Sequence, residues 1–162
     1  MASKIEIKPI EKKDIDWVKG TTRERFGADF IFDAGKKKFP YKLPGFIAYL
    51  GNEKSGVLTY EIMGKSCEIV TIESLKEKNG VGSLLLEKLK DTAKAKNCKK
   101  IWLITTNDNL NALDFYQKRG FNITNVYPNA VTKTRETVKP EIPLYSENGI
   151  EIKDEIELEL KL

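Results

Sequence analysis

An α/β fold with a mixed, mostly antiparallel sheet flanked by helices is predicted by three stretches of this sequence. Residues 45–74 hold three β-rich runs, GFIAYL, GVLTYEI and CEIVTIES, parted by the turn-forming GNEKS and MGKS. Residues 81–106 pass from an apolar stripe at helical spacing into the short apolar run KKIWLITT, the pattern of a helix that leads into a buried strand. The chain closes on Ile156, Leu158, Leu160 and Leu162, alternating with Glu157, Glu159 and Lys161, which predicts a half-buried final strand.

The elements follow in order. Residues 5–9 predict a first strand, and the polar stretch from Glu11 with Ile15, Trp17 and Val18 predicts a short helix in which Trp17 packs. Residues 21–44 mix FIFD with Gly27, Gly35, two prolines and the triplet Lys36–Lys38. They read as a long connection with one extended piece and a solvated lysine loop. The meander of residues 45–74 comes next. Val81, Leu85, Leu89 and Ala93 then recur every four residues, with Glu87, Lys88, Lys90, Asp91 and Lys94 elsewhere on the cylinder, so this helix is amphipathic. A strand, a helix and a strand in succession imply a right-handed crossover. A second helix is predicted from Asn109 to Arg119, with Asn107 to Asn109 offering N-cap side chains and Gly120 placed for a left-handed cap. FNITNVY leads out as a strand. A helix over Asn129–Val138 is stopped by Pro140 and Pro143, and Asn148-Gly149 turns the chain into its last strand. Without internal repeats or low-complexity linkers, residues 1–162 are expected to form one domain, with 128–162 completing the sheet.

Composition narrows the chemistry. A chain that is 40% apolar and 32% charged has the make-up of a globular protein, and its apolar runs fall far short of the roughly 20 residues that span a bilayer, so no membrane span is expected. The net charge of +4 comes from scattered lysines, which gives no reason to expect nucleic acid. The two cysteines, Cys67 and Cys98, form no C-x-x-C pair and read as small buried hydrophobes in a reducing, cytoplasmic setting. There is no histidine, so acid–base work near neutral pH falls to other groups, and no metal site is expected.

The segment IESLKEKNGVGSLLLEKL places Gly80-Val81-Gly82 between a strand and a helix. Unpaired amides and the helix dipole make such a helix start a site for an anion, and Ser83 adds a hydroxyl. A Walker loop is excluded because no Lys-Ser or Lys-Thr follows the glycines, and a Rossmann fingerprint because Leu85 stands where a third small residue is needed. A third pattern remains. EKNGVGSLLLEKL resembles the coenzyme-A loop of the GNAT superfamily of acetyl-CoA-dependent acyltransferases, Q/R-x-x-G-x-G/A, through Glu77, Gly80 and Gly82, with Glu77 where Gln or Arg is usual. NDNLNALDFYQKRGF resembles the family's second signature through Asn109, Ala112, Phe115, Tyr116, Gly120 and Phe121. The resemblance covers residues 45–127.

It implies a sheet whose central strands splay to admit the pantetheine arm of acetyl-CoA. The residues implied to hold the cofactor are Ser74, Leu75, Lys76, Glu77, Lys78, Asn79, Gly80, Val81, Gly82 and Ser83, with Asn109 bonding the arm and Tyr116 reaching the sulfur as general acid. A small amine or a peptide is the implied acceptor, and a homodimer is in keeping with the family. Backbone amides near Ser74 and Leu75 are candidates for the oxyanion. A phenol of pKa about 10 is a poor acid toward a thiolate whose conjugate acid lies near 8.5, which makes Tyr116 a donor to developing charge. An amine of pKa about 10.4 costs nearly 5 kcal/mol to deprotonate at pH 7, so a carboxylate base helps. Glu68, where some family members carry a base, and Glu73, nearer the thioester end by sequence, are the candidates. An unbroken strand sets them on opposite faces, and only a bulge brings them to one. Lys133 and Arg135, on the late helix, are placed to meet an anionic substrate or only the solvent, and solvent is the preferred reading. The expected activity is N-acetyl transfer by direct attack in a ternary complex. The alternative is a non-catalytic GNAT-like domain that binds CoA or a metabolite for regulation.

Overall fold

The predicted meander of three antiparallel strands is present. In the computed structural model, which describes residues 4–75 and 80–162, the elements run β1 (Ile5–Pro9), α1 (Ile15–Phe26), β2 (Ile31–Asp33), β3 (Lys36–Lys38), β4 (Gly45–Leu50), β5 (Glu53–Met63), β6 (Ser66–Ser74), α2 (Val81–Ala95), β7 (Lys100–Thr106), α3 (Leu110–Lys118), β8 (Asn122–Tyr127), α4 (Ala130–Thr137) and β9 (Glu155–Lys161). The architecture is α/β, with mostly antiparallel strands flanked by helices. The residues fall into two compact units, one from the start to Phe30, 39–101 and Leu162, the other from 31–38 and 102–161.

In the first unit the strand order is β1-β4-β5-β6, antiparallel throughout. One face of β4 and β5 carries Ile47 and Val57, which pack with Val18 of α1 and with Ile10, Trp17, Tyr41 and Tyr49 at the margin. The other face carries Gly56, Leu58 and Tyr60 toward α2, whose Val81, Leu85, Leu86, Leu89 and Ala93 are buried. A Cβ at Gly56 would run into the Val81 side chain and lie 3.0 Å from the Glu73 carbonyl, so the missing side chain lets the first turn of α2 settle onto the strand.

The expected short helix is longer than its apolar pattern suggests. α1 continues to Phe26, with the Thr21 and Thr22 hydroxyls bonded back to the Val18 carbonyl at 3.0 and 2.9 Å, and it ends where Gly27 turns left-handed. Its face is largely polar, so periodicity alone stops the helix early.

The second unit orders its strands β7-β9-β8, so the C-terminal strand lies inside the sheet, between β7 and β8. Leu158 is fully buried there. The connection expected to hold one extended piece contains two strands, β2 and β3, paired about Ala34-Gly35. Ala34 adopts φ +49, a conformation alanine rarely takes, so Gly35 stands without the Asn or Asp before it that would mark a two-residue hairpin turn. Nor is the lysine triplet wholly solvated. Lys38 is 7% exposed and ion-paired with Asp33 at 2.5 Å.

Candidate functional site

The entry to α2 is built from backbone. Gly80 is its N-cap at φ +74, and the first helical bond runs from the Leu84 amide to the Gly80 carbonyl at 3.1 Å. The amides of Val81, Gly82 and Ser83 therefore belong to the turn that has no earlier carbonyl within the helix. Gly80 has no side chain to cap them, and the first turn carries no acid. Among the described residues nothing lies within 4 Å of a Cβ built at Gly80, so the glycine is there for its left-handed conformation and not for close packing. Lys76, Glu77, Lys78 and Asn79 lie outside the described residues. Just before them, the Leu75 amide donates to the Ser55 carbonyl at 2.8 Å, which commits Leu75 to the ladder and takes it from the oxyanion candidates. Alternation along that ladder turns the Ser74 amide away from β5.

The bulge that would unite the two glutamates is present. Thr71 pairs with Thr59 but Ile69 pairs with Tyr60, leaving Val70 as an extra residue on β6 with no partner in the β5 register. Glu68 then lies opposite Glu61, Thr71 opposite Thr59 and Glu73 opposite Val57, and since Val57, Thr59 and Glu61 share a face of β5, so do Glu68, Thr71 and Glu73. It is the face turned to α1. Glu68 is buried and Glu73 half-buried. Between them the Thr59 and Thr71 hydroxyls meet at 2.6 Å. Burial raises the pKa of the Glu73 carboxyl, against the lowering effect of Arg25 on α1, and Glu24 adds a smaller upward push. Val70 is the functional candidate that sequence reasoning missed, because a bulge leaves no mark in residue types.

In the second unit, α3 starts under its own cap. The Asn109 Oδ1 accepts the Ala112 amide at 3.1 Å, so this side chain has its Nδ2 hydrogens left to offer. Tyr116 is 3% exposed, edge-on to Phe115 and Phe121 with ring centroids 5.1 Å from each. Burial drives its phenol well above the usual range, only partly offset by Arg119, so the hydroxyl stays a neutral O–H donor. The same burial makes full proton release harder.

Other residues take structural roles. Arg135, expected to face solvent, donates from Nε to the Ile142 carbonyl at 2.9 Å and from a terminal nitrogen to the Pro143 and Ile152 carbonyls at 2.7 and 2.6 Å, pinning the segment after α4. Cys67 and Cys98 are free and buried, and burial pushes the Cys67 thiol up to about 12, with Cys98 and Glu68 adding to the shift. In the second unit Glu155 of β9 accepts the Ala34 amide at 3.2 Å, beside the Asp33–Lys38 pair. Burial raises both Asp33 and Glu155. Among the described residues no cluster of His, Cys, Asp and Glu could hold a metal ion, and no helix is long and apolar enough to cross a membrane.

Residues 15–121 match the model of a family described as the acetyltransferase (GNAT) family. The chain is 51% identical over 116 residues to the Bacillus subtilis (strain 168) protein YdhI, described as uncharacterized, covering 71% of this chain and 72% of that one. Its fold is similar to that of a Bacillus subtilis acetyltransferase solved in complex with CoA, with a TM-score of 0.71 and 23% identity over 98% of this chain and 99% of that one. A GNAT family acetyltransferase from Elizabethkingia anophelis, solved with acetyl-CoA bound, aligns with a TM-score of 0.69 and 25% identity over 98% of each chain.

Proposed function

The chain belongs to the acetyltransferase (GNAT) family, and from that premise we propose that it is an N-acetyltransferase that moves the acetyl group of acetyl-CoA onto a primary amine by direct attack. The observation that carries this reading is the entry to α2, where a left-handed glycine N-cap without a side chain sets the amides of Val81 and Gly82 at a helix start, the position that suits a diphosphate. Residues 1–162 act as one catalytic domain, since the family match runs through residues of both units. Two free thiols suit a cytoplasmic setting.

When bound, acetyl-CoA supplies the acetyl thioester. The amides of Val81, Gly82 and Ser83 hold its diphosphate, with Ser74 and the stretch Lys76–Asn79 alongside, and the Asn109 Nδ2 donates to the pantetheine arm. The N–H of the bulged Val70 replaces Leu75 as donor to the charge that gathers on the carbonyl oxygen. Glu68 or Glu73, on one face of β6, receives the proton of the acceptor ammonium, directly or through water. The Tyr116 hydroxyl donates a hydrogen bond to the departing sulfur. A small amine or a peptide N-terminus is the acceptor class, with no metal, and the acting form is monomer or homodimer.

The second reading, a domain that binds CoA or a metabolite for regulation without turnover, draws on one observation: Tyr116 is packed as a core ring, between Phe115 and Phe121. Isothermal titration of acetyl-CoA, followed by acetyl transfer to a panel of small amines and peptides, separates the two. Saturable binding with transfer to at least one amine is expected. Binding without transfer to any amine selects the regulatory domain, and absence of binding removes both.

A further inference from the structure

Strand β5 outruns β4. Their register ends with Gly45 opposite Thr59, and the Pro44 carbonyl takes the Tyr60 amide at 3.0 Å. Pro44 has no N–H with which to extend the ladder, and the chain before it departs through a 3-10 turn at Pro40–Lys42. Glu61–Met63 of β5 therefore pair with β6 on one side only. Alternation along an antiparallel ladder fixes where their backbone groups point. The Tyr60 amide faces the β4 side, so Ile62, two residues on, turns both its N–H and its C=O that way. Among the described residues nothing takes either group.

A cavity of about 360 Å³ lies on this edge, lined by Pro44, Tyr60, Glu61, Ile62 and Lys96. Its walls combine three kinds of group: the outward main-chain pair of Ile62, an apolar surface from Pro44, Tyr60 and Ile62, and two opposite charges. Glu61 and Lys96 make no ion pair among the described residues. The charges sit on different faces. Ile62 and Tyr60 point to the α2 side, where Lys96 closes the C-terminus of α2, and Glu61 points to the α1 side.

We propose that this edge binds an extended peptide segment of another polypeptide, which adds to β5 where β4 stops, with an acidic side chain beside Lys96 and a basic one beside Glu61. The pattern follows from strand geometry. A residue paired with Ile62 sends its side chain to the same face as Ile62, toward Lys96, and its two neighbours send theirs to the Glu61 face. The preferred segment is basic–acidic–basic at three consecutive positions. The single exposed main-chain pair and the size of the cavity limit recognition to about this length.

The test uses the full-length protein and a blocked five-residue peptide, Thr-Lys-Glu-Lys-Thr, followed by fluorescence anisotropy and by exchange of the Ile62 amide in NMR. Saturable binding is expected, with the Ile62 amide slowed at least tenfold at saturation. Reversing the peptide charges to Glu-Lys-Glu should weaken binding at least tenfold, and the exchange E61K/K96E should restore binding of that reversed peptide. K96E alone, at an exposed position, gives the same direction where the double variant fails to fold. N-methylation of the central residue, which removes the N–H that meets the Ile62 carbonyl, should abolish binding. Equal affinity for the N-methylated or the charge-reversed peptide overturns the proposal, as does an unchanged exchange rate at Ile62. Equal affinity for free glutamate overturns it in favour of a small-molecule pocket.

Discussion

The two helices that carry the signature residues begin in opposite ways. α3 is capped from within, since the Asn109 side chain satisfies the Ala112 amide at the cost of no ligand. α2 begins at a glycine that can satisfy nothing, with neither a capping oxygen nor an acid in its first turn. A glycine in place of a side-chain cap costs a helix only a few tenths of a kcal/mol, so α2 forgoes little. What α2 has instead is burial: Val81, Leu85, Leu86 and Leu89 are each almost wholly removed from water, and packing of this kind outweighs a missing cap several-fold. A helix so anchored can leave its first amides to a ligand. The difference teaches where to look for a function carried by backbone and where for one carried by side chains.

The largest effect should come from the open start. Gly80→Val forces a β-branched residue into a left-handed conformation, which costs about 1–2 kcal/mol, and re-aims the amides that follow. Acetyl-CoA affinity should fall at least a hundredfold by titration calorimetry. If affinity survives while the fold is intact, α2 is not the anion site and the contrast with α3 loses its meaning.

Next is Tyr116→Phe. If the hydroxyl serves the leaving sulfur, turnover should drop by roughly 10²-fold, the lower end of what a positioned proton donor supplies, with acetyl-CoA affinity held within a few-fold. If Tyr116 is only a core ring, turnover should hold and the change should be confined to stability, about 1 kcal/mol.

Asn109 sharpens the comparison because its two ends do different work. Asn109→Ala removes the cap and should cost about 1 kcal/mol in thermal unfolding. Asn109→Asp keeps the capping oxygen and loses the Nδ2 donor, so it should hold the melting temperature while raising KM for acetyl-CoA several-fold. Equal KM in parent and Asp variant reduces Asn109 to a cap.

Much of this was legible beforehand, for reasons that vary by residue. The α2 stripe and the β4–β6 meander rest on periodicity, which burial enforces residue by residue, and they appear where expected. Gly80 and Asn109 are legible because few residues can do what those backbone positions need. Three features were not. The Val70 bulge is a register shift, a property of two strands together, so no residue type announces it. The β2–β3 hairpin hides behind Ala34, and the buried Asp33–Lys38 pair inside it looked like one end of a solvated lysine run. Arg135 looked like a surface cation because its three carbonyl partners lie between seven and seventeen residues away. Local patterns reveal local causes, and these three depend on distant or paired backbone.

The smallest expected effect concerns the glutamates that the bulge brings to one face. Glu68→Gln and Glu73→Gln each keep shape and remove charge, so a loss of turnover in one and not the other names the base. Glu73 also leaves a signature that is independent of activity. Its carboxyl is raised in the folded chain by burial, above the ordinary value of 4.5 that it has when unfolded. Between those two values the folded chain holds a proton that the unfolded chain has released, so its favourable share of stability is complete below the unfolded value and is lost as pH rises through the folded one. Glu73→Gln cannot ionise and escapes that loss. Because Glu73 is only half-buried, solvent screening limits the difference to about 0.5 kcal/mol or less, which in a chain of this length is about 1–2 °C in Tm. The Gln variant should therefore match the parent near pH 4 and melt slightly higher at pH 7. A gap of the same size at both pH values would mean that Glu73 is not held above its ordinary range, and the choice between the two carboxylates would then rest on the turnover of the Glu68→Gln and Glu73→Gln variants alone.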